Sequence, residues 1–235
     1  FYPNTFTDNE KQAIEKGAVE EDAPEIRAAH HFYDPIYNNG LEGVFSSSKE
    51  WAQDTSAQAE WSASYLAALG NVTRPYFSSQ TDYSWDRAIY EYAHGDKARG
   101  LESLGHILHL LEDATVPDHT RNDPHVPYLN ELTNQQSPYE HFTSQFNLGN
   151  IKVSESLISE GKIPVLLSSL NEYFDKLAGY SNSNFFSKDT ILEKKYNFPI
   201  IQNEVKNKLD RKFGYYNGHL LVWFVSEKRN LSTGE

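Results

Sequence analysis

Cysteine and methionine are both absent from the 235 residues. Without cysteine there is no disulfide framework, no thiolate metal site and no Cys nucleophile. A zinc site here must be built from His, Asp and Glu. No segment approaches the roughly 18 consecutive apolar residues of a membrane-spanning helix. Positive charge is scarce too: 21 Lys and Arg stand against 33 Asp and Glu, a net charge of −12 with a pI near 5.2. A general polyanion binder needs a basic face, so no stable nucleic-acid partner is expected. The chain opens on Phe1 rather than Met and reads as a processed chain with an incomplete N-terminus.

The acidic excess is uneven. Residues 1–145 carry 23 acids and 9 bases, net −14, whereas 146–235 carry 10 acids and 12 bases, net +2. An acidic first part suits either a cation-binding region or an ordinary solvated surface. At 26.9 kDa the expectation is one domain over 1–235.

Helical patterning dominates, with neither sustained alternation of the strand kind nor an internal repeat. Thr7-Asp8-Asn9-Glu10 reads as a capping box opening a helix through about Asp22. A long segment from Lys49 to Leu69 suits a buried helical face and ends at Gly70-Asn71. Ser84 caps a helix that stops at Gly95, and Asp96 caps another running to about Thr115, before Pro117. Helices are also expected near 164–179, 199–212 and 216–228. The Lys-rich stretch 188–212 reads as one solvated helical face, with contact to anionic lipid headgroups as the alternative.

The chemistry concentrates where the imidazoles do. Five of the nine His fall between 106 and 141. On a helix, Leu101, Leu104, Leu108 and Leu111 would form an apolar stripe, with His106, His109 and Asp113 beside it. His109 and Asp113 are four apart, so both can reach one ion. Gly105, one turn earlier, would leave room above them. Pro117 ends the helix, and His119 follows where the chain can turn back. Imidazole nitrogen with carboxylate oxygen suits a borderline cation such as Zn²⁺. A second group lies upstream: Glu20-Glu21-Asp22, then His30-His31-Phe32-Tyr33-Asp34-Pro35.

Taken together, Gly17 to Asp22, His31-Phe32-Tyr33-Asp34-Pro35, Leu104-Gly105 through His109 and Asp113, and Pro117-Asp118-His119 resemble the motifs of the bacterial zinc-dependent phospholipase C family, relatives of the single-strand-specific zinc nucleases. Tyr90 to Asp96 resembles the segment leading into the metal-binding helix. The likeness covers about residues 1–145; beyond it no motif is comparable, and 146–235 is expected to complete the helical bundle.

The resemblance implies an all-α, multi-helix fold and two to three zinc ions. The first site would use Asp22, His31, His109 and Asp113, with Asp113 also bridging towards a third ion whose remaining ligands would lie upstream of Phe1. The second would use His119, a further His and Glu140 of Tyr139-Glu140-His141-Phe142. The family's His falls at Gln136, a poor ligand; His125 is the best substitute, with Asp123 and His141 weaker candidates. His30 is an alternative to its neighbour, but the resemblance selects His31. His106 is either a partner of a ligand carboxylate or a helix-surface residue, His94 a helix C-terminal residue, and His219 structural.

The implied activity is phosphodiester hydrolysis of phospholipid headgroup esters by a zinc-activated water, with Asp22 as ligand and general base. A single-strand-specific nuclease and a non-catalytic zinc-binding relative are the alternatives. Family members are exported, so a signal peptide upstream of Phe1, a secreted or extracytoplasmic location and contact with a membrane surface are expected.

Overall fold

A computed structural model describes residues 6–58, 81–125, 137–144, 165–187, 190 and 193–196, together with three strands further on. The chain divides into two compact units, Phe1–Thr115 and Val116–Glu235.

In the first unit the long helices are α1 (Asp8–Glu20), α3 (Trp85–His94) and α4 (Lys97–Asp113), with the single turn α2 (Ser48–Trp51). Their starts are chemically specified. Thr7 and Glu10 form the capping box of α1, the Ser84 hydroxyl accepts from Arg87 N–H, and the Asp96 carboxylate accepts from Ala98 and Arg99 N–H. Helix α4 packs between α1 and α3. Helices α1 and α4 run in the same direction: Glu10 meets Lys97 near their starts, and Asp22 approaches His109 beyond the end of α1.

The approach is close because Gly17 and Gly105 carry no side chain. A Cβ on Gly17 would stand 1.9 Å from the Glu102 carbonyl oxygen, and one on Gly105 2.0 Å from that of Ile14. This corrects the expectation for Gly105, which admits the α1 backbone rather than leaving room above ligands. It also corrects the expected stripe. Leu101, Ile107 and Leu110 are buried with Gly100, Ser103 and Gly105, whereas Leu108 is exposed and Leu104 and Leu111 are half-buried. The helix is sandwiched rather than seated on one side, so its buried surface follows its two neighbours. Trp51, Ala52, Ala88, Phe32 and Tyr33 complete this core.

The loop after α1 is built by its own side chains. Asp34, almost fully buried, accepts from Ile36 and Tyr37 N–H and bridges to Asn39, so the Asp of His-Phe-Tyr-Asp-Pro is a turn builder.

In the second unit, α5 (Pro117–Thr120) packs on α7 (Leu170–Asn184), and α6 spans Pro138–Ser144. Arg121 donates to the Asn182 carbonyl at 3.2 and 2.9 Å, and Asn182 Nδ2 returns a bond to Thr120 O at 2.6 Å. Phe174 and Ala178 are buried on α7.

Among the described residues the helical class holds through residue 184. Beyond it, the helices expected at 199–212 and 216–228 are replaced by an antiparallel sheet of β1 (Gln202–Lys206), β2 (Lys212–Tyr216) and β3 (His219–Val222) in the order β1-β2-β3. Of the stretch 188–212 expected as one solvated helical face, residues 202–206 and 212 lie in strands, and 188–189, 191–192, 197–201 and 207–211 lie outside the described residues. Tyr216 pairs with His219, leaving Asn217-Gly218 between them, the dipeptide that most favours a two-residue hairpin. Phe213, Tyr215 and Tyr216 are aromatic strand formers. The expected helix at 164–179 lies at 170–184. Of the expected helix 49–69, the described residues hold only α2 and a turn at 55–58; residues 59–69, and Gln136, lie outside them. Among the described residues no helix is long and apolar enough to cross a membrane.

Candidate metal centres

The first ligand set lies wholly in the first unit. Asp113 ends α4, with His109 one turn before it. Asp22 follows α1, and His31 follows the 3-10 turn Glu25–His30. Asp113 Oδ2 lies 3.0 Å from His31 Nδ1 and 3.4 Å from His109 Nε2; Asp22 Oδ1 lies 3.7 and 3.6 Å from the same two nitrogens. Zn²⁺ bound tetrahedrally at about 2.0–2.1 Å separates its ligands by about 3.3–3.4 Å. The four His–Asp separations, 3.0–3.7 Å, bracket that spacing; ligand atoms of Asp22, His31 and His109 all lie within 4.8 Å of one another, and Asp113 reaches both imidazoles.

His109 is aimed from behind. His109 Nδ1 donates to the Ala18 carbonyl at 2.7 Å, which leaves the Nε2 lone pair facing the carboxylates. Burial works against charge on His109, but Asp113 and Asp22 outweigh it and push its pKa up to about 9. Burial likewise opposes charge on His31, and Asp113 and Glu21 overcome it and raise the pKa. His30 turns elsewhere: it stacks on Trp51 at 4.1 Å and bonds Ser46 Oγ at 2.7 Å, and burial lowers its pKa to about 4. The choice between the neighbouring imidazoles thus falls to His31.

Behind the set lies a residue that sequence reasoning passed over. Glu21 is completely buried. Its carboxylate accepts from Arg27 at 2.6 Å, Trp51 Nε1 at 3.0 Å and His106 Nδ1 at 2.5 Å, and its Oε1 stands 3.8 Å from His31 Nε2. Burial alone would raise this carboxyl, yet Arg27, His106 and His31 hold it well below the usual carboxylate range. Removing one partner from such a buried charge pair typically costs about 3–5 kcal/mol. His106 is therefore neither a helix-surface residue nor a partner of an expected ligand carboxylate; it serves Glu21. Burial lowers its pKa despite that carboxylate. Nothing local marks Glu21 out from Glu20 and Asp22 beside it, since its partners Trp51 and His106 are 30 and 85 residues away.

The second set lies wholly in the second unit. His119 Nε2, His125 Nε2 and Glu140 Oε1 are mutually 3.1–3.3 Å apart, again a tetrahedral ion's spacing. His119 is held by the short α5 turn. His125 Nδ1 donates to the Asp123 carbonyl at 3.1 Å, and the two rings stack at 4.9 Å. Ser137 joins the parts: its hydroxyl donates to buried Asp118 at 2.9 Å and accepts from Glu140 N–H at 3.2 Å. Burial opposes the Glu140 charge, but His119 and His125 bring its pKa down to about 2. His125, the expected substitute, is grouped with His119 and Glu140, while Gln136 lies outside the described residues. Asp123 contributes its main-chain carbonyl to His125, and the side chain of His141 lies outside the described residues.

These imidazole and carboxylate sets could hold a metal ion, and His109 and His125 are each oriented by a second bond, to the Ala18 and Asp123 carbonyls. His94, at the end of α3, is exposed and takes no part. Compared with known proteins, the chain matches no family model, no curated protein and no solved structure.

Proposed function

We propose that this chain is a zinc-dependent phosphodiester hydrolase of the phospholipase C type, acting on phospholipid headgroup esters outside the cytoplasm. The observation that carries the reading is the convergence of two ligand sets at tetrahedral spacing. Asp22, His31, His109 and Asp113 would hold one ion, and His119, His125 and Glu140 another. Bound zinc supplies positive charge for phosphate oxygens and a water of lowered pKa. It also reconciles an acidic chain with an anionic substrate.

The residues divide the remaining work. His31 and Asp113 are nearly buried, with side chains 3 and 12 % exposed, whereas Asp22 is 64 % exposed. Asp22 can therefore exchange a proton with solvent and serves as general base on the attacking water. His109 is fixed by Ala18, so its Nε2 keeps its direction through the cycle. The lipid preference rests on the likeness of His31-Phe32-Tyr33-Asp34-Pro35 to the phospholipases.

Zinc-loaded protein is expected to hydrolyse phosphatidylcholine vesicles or a chromogenic phosphocholine ester, and chelation to abolish this. Asp22→Asn should lower kcat about 10²–10⁴-fold, and Asp113→Asn should lose the first-site ion. Cleavage of single-stranded DNA without lipid activity would replace this reading with the nuclease. Tight zinc binding with neither activity would leave a non-catalytic zinc protein.

A further inference from the structure

A third group in the first unit has the composition of a cation site and belongs to neither set. Glu20 ends α1, and Glu102 and His106 stand one turn apart on α4; one ligand atom from each lies within 4.8 Å of the others. The decisive member is His106, only 2 % exposed. Its Nδ1 is committed to Glu21, and its Nε2 is buried with no hydrogen-bond partner. A carboxylate acceptor on Nδ1 requires the hydrogen there, so Nε2 carries the lone pair. A buried acceptor left unsatisfied costs about 1–3 kcal/mol. A carboxylate behind an imidazole is also how metal-binding histidines are oriented. Tyr83 stacks on the ring at 3.8 Å, further fixing it.

We infer that Glu20, Glu102 and His106 form a further divalent-cation site at the α1–α4 contact, with His106 Nε2 as its buried ligand and the two carboxylates as its outer ones. One imidazole and two carboxylates suit Zn²⁺ or Mn²⁺ rather than softer ions. Glu102 is 16 % and Glu20 44 % exposed, so the remaining coordination position opens to water.

A lysine already answers to the same field. Lys16 Nζ lies 3.0 Å from Glu102 Oε1 and 3.7 Å from Glu20 Oε2. Its side chain is 54 % exposed, so it can swing into solvent at little cost when a doubly charged ion arrives. Lys16 is thus a built-in competitor that sets the affinity of the site. Glu21 stands behind His106 here and beside His31 at the first set, so one buried carboxylate backs an imidazole in each.

The test uses zinc alone, added to the full chain after chelation, and reads stoichiometry and affinity rather than activity. Glu20→Gln with Glu102→Gln should bind one ion fewer per chain than the wild type, while keeping the ion that Asp113→Asn removes. Lys16→Ala should tighten the site about five- to tenfold. The ¹⁵N resonance of His106 Nε2 should shift on zinc addition in the wild type and not in the double variant. Unchanged zinc content in the double variant, or a His106 resonance indifferent to zinc, would overturn the assignment. Because no turnover is measured, failure of the hydrolase reading leaves this result untouched.

Discussion

Each imidazole of the first set has one nitrogen among the carboxylates, and His109 shows the energetic consequence. Asp113 and Asp22 hold its pKa at about 9 against the opposing effect of burial. The folded, metal-free chain therefore binds this proton more tightly than the unfolded chain, whose imidazole titrates near 6.5. The resulting stability is full below that value and is lost as pH rises through about 9. Zinc bound as proposed would have to displace the same proton, so its affinity should rise with pH over the same window. Melting the chelated and zinc-loaded forms between about pH 6 and pH 9 should show the difference in Tm widening with pH; a constant difference would mean that His109 is not displaced. Asp22, His31, His109, Asp113 and His119 were legible because each sits in a short motif with a fixed offset. Glu21 was not, because its burial is decided by Arg27, Trp51 and His106 arriving from three other parts of the chain.

Among the elements, the α1–α4 pair does most to make the first site. Its glycines allow main chain to touch main chain, which brings the Ala18 carbonyl to His109. Gly105→Ala separates two effects of opposite sign. Helix propensity alone would favour alanine by about 1 kcal/mol, whereas the clash with Ile14 forces the helices apart at a cost of about 1–3 kcal/mol. The clash should win, lowering Tm by several degrees and weakening zinc at the first set; an unchanged or raised Tm would show that the helices can separate freely. The capped helices were readable since Thr7, Ser84 and Asp96 announce themselves locally. The buried face of α4 was not, because it depends on which helices flank it. The terminal sheet was missed through its turn: Asn217-Gly218 between two aromatic or aliphatic runs is a hairpin signal that outweighs helical patterning in so short a stretch.

For the molecule as a whole, the division between Thr115 and Val116 separates the ligand sets, one complete in each unit. Neither borrows a described side chain from the other. Removing His125 should therefore release one ion and spare the first set: zinc analysis of His125→Ala should show one ion fewer per chain, with the ion that Asp113→Asn removes still bound. Loss of every ion would reveal dependence between the units. The acidity of residues 1–145 fits this distribution, since both sets fall within them.

The spread of each set along the chain sets the order of assembly. Ligands at 22, 31, 109 and 113 meet only after some eighty residues have been looped out and the glycine-lined helix contact has closed. Those at 119, 125 and 140 close a loop of about twenty residues, an entropic cost that one ion can offset in a nearly unfolded chain. On the proposed reading, metal capture would be an early, nucleating event in the C-terminal unit and a late, sealing one in the N-terminal unit.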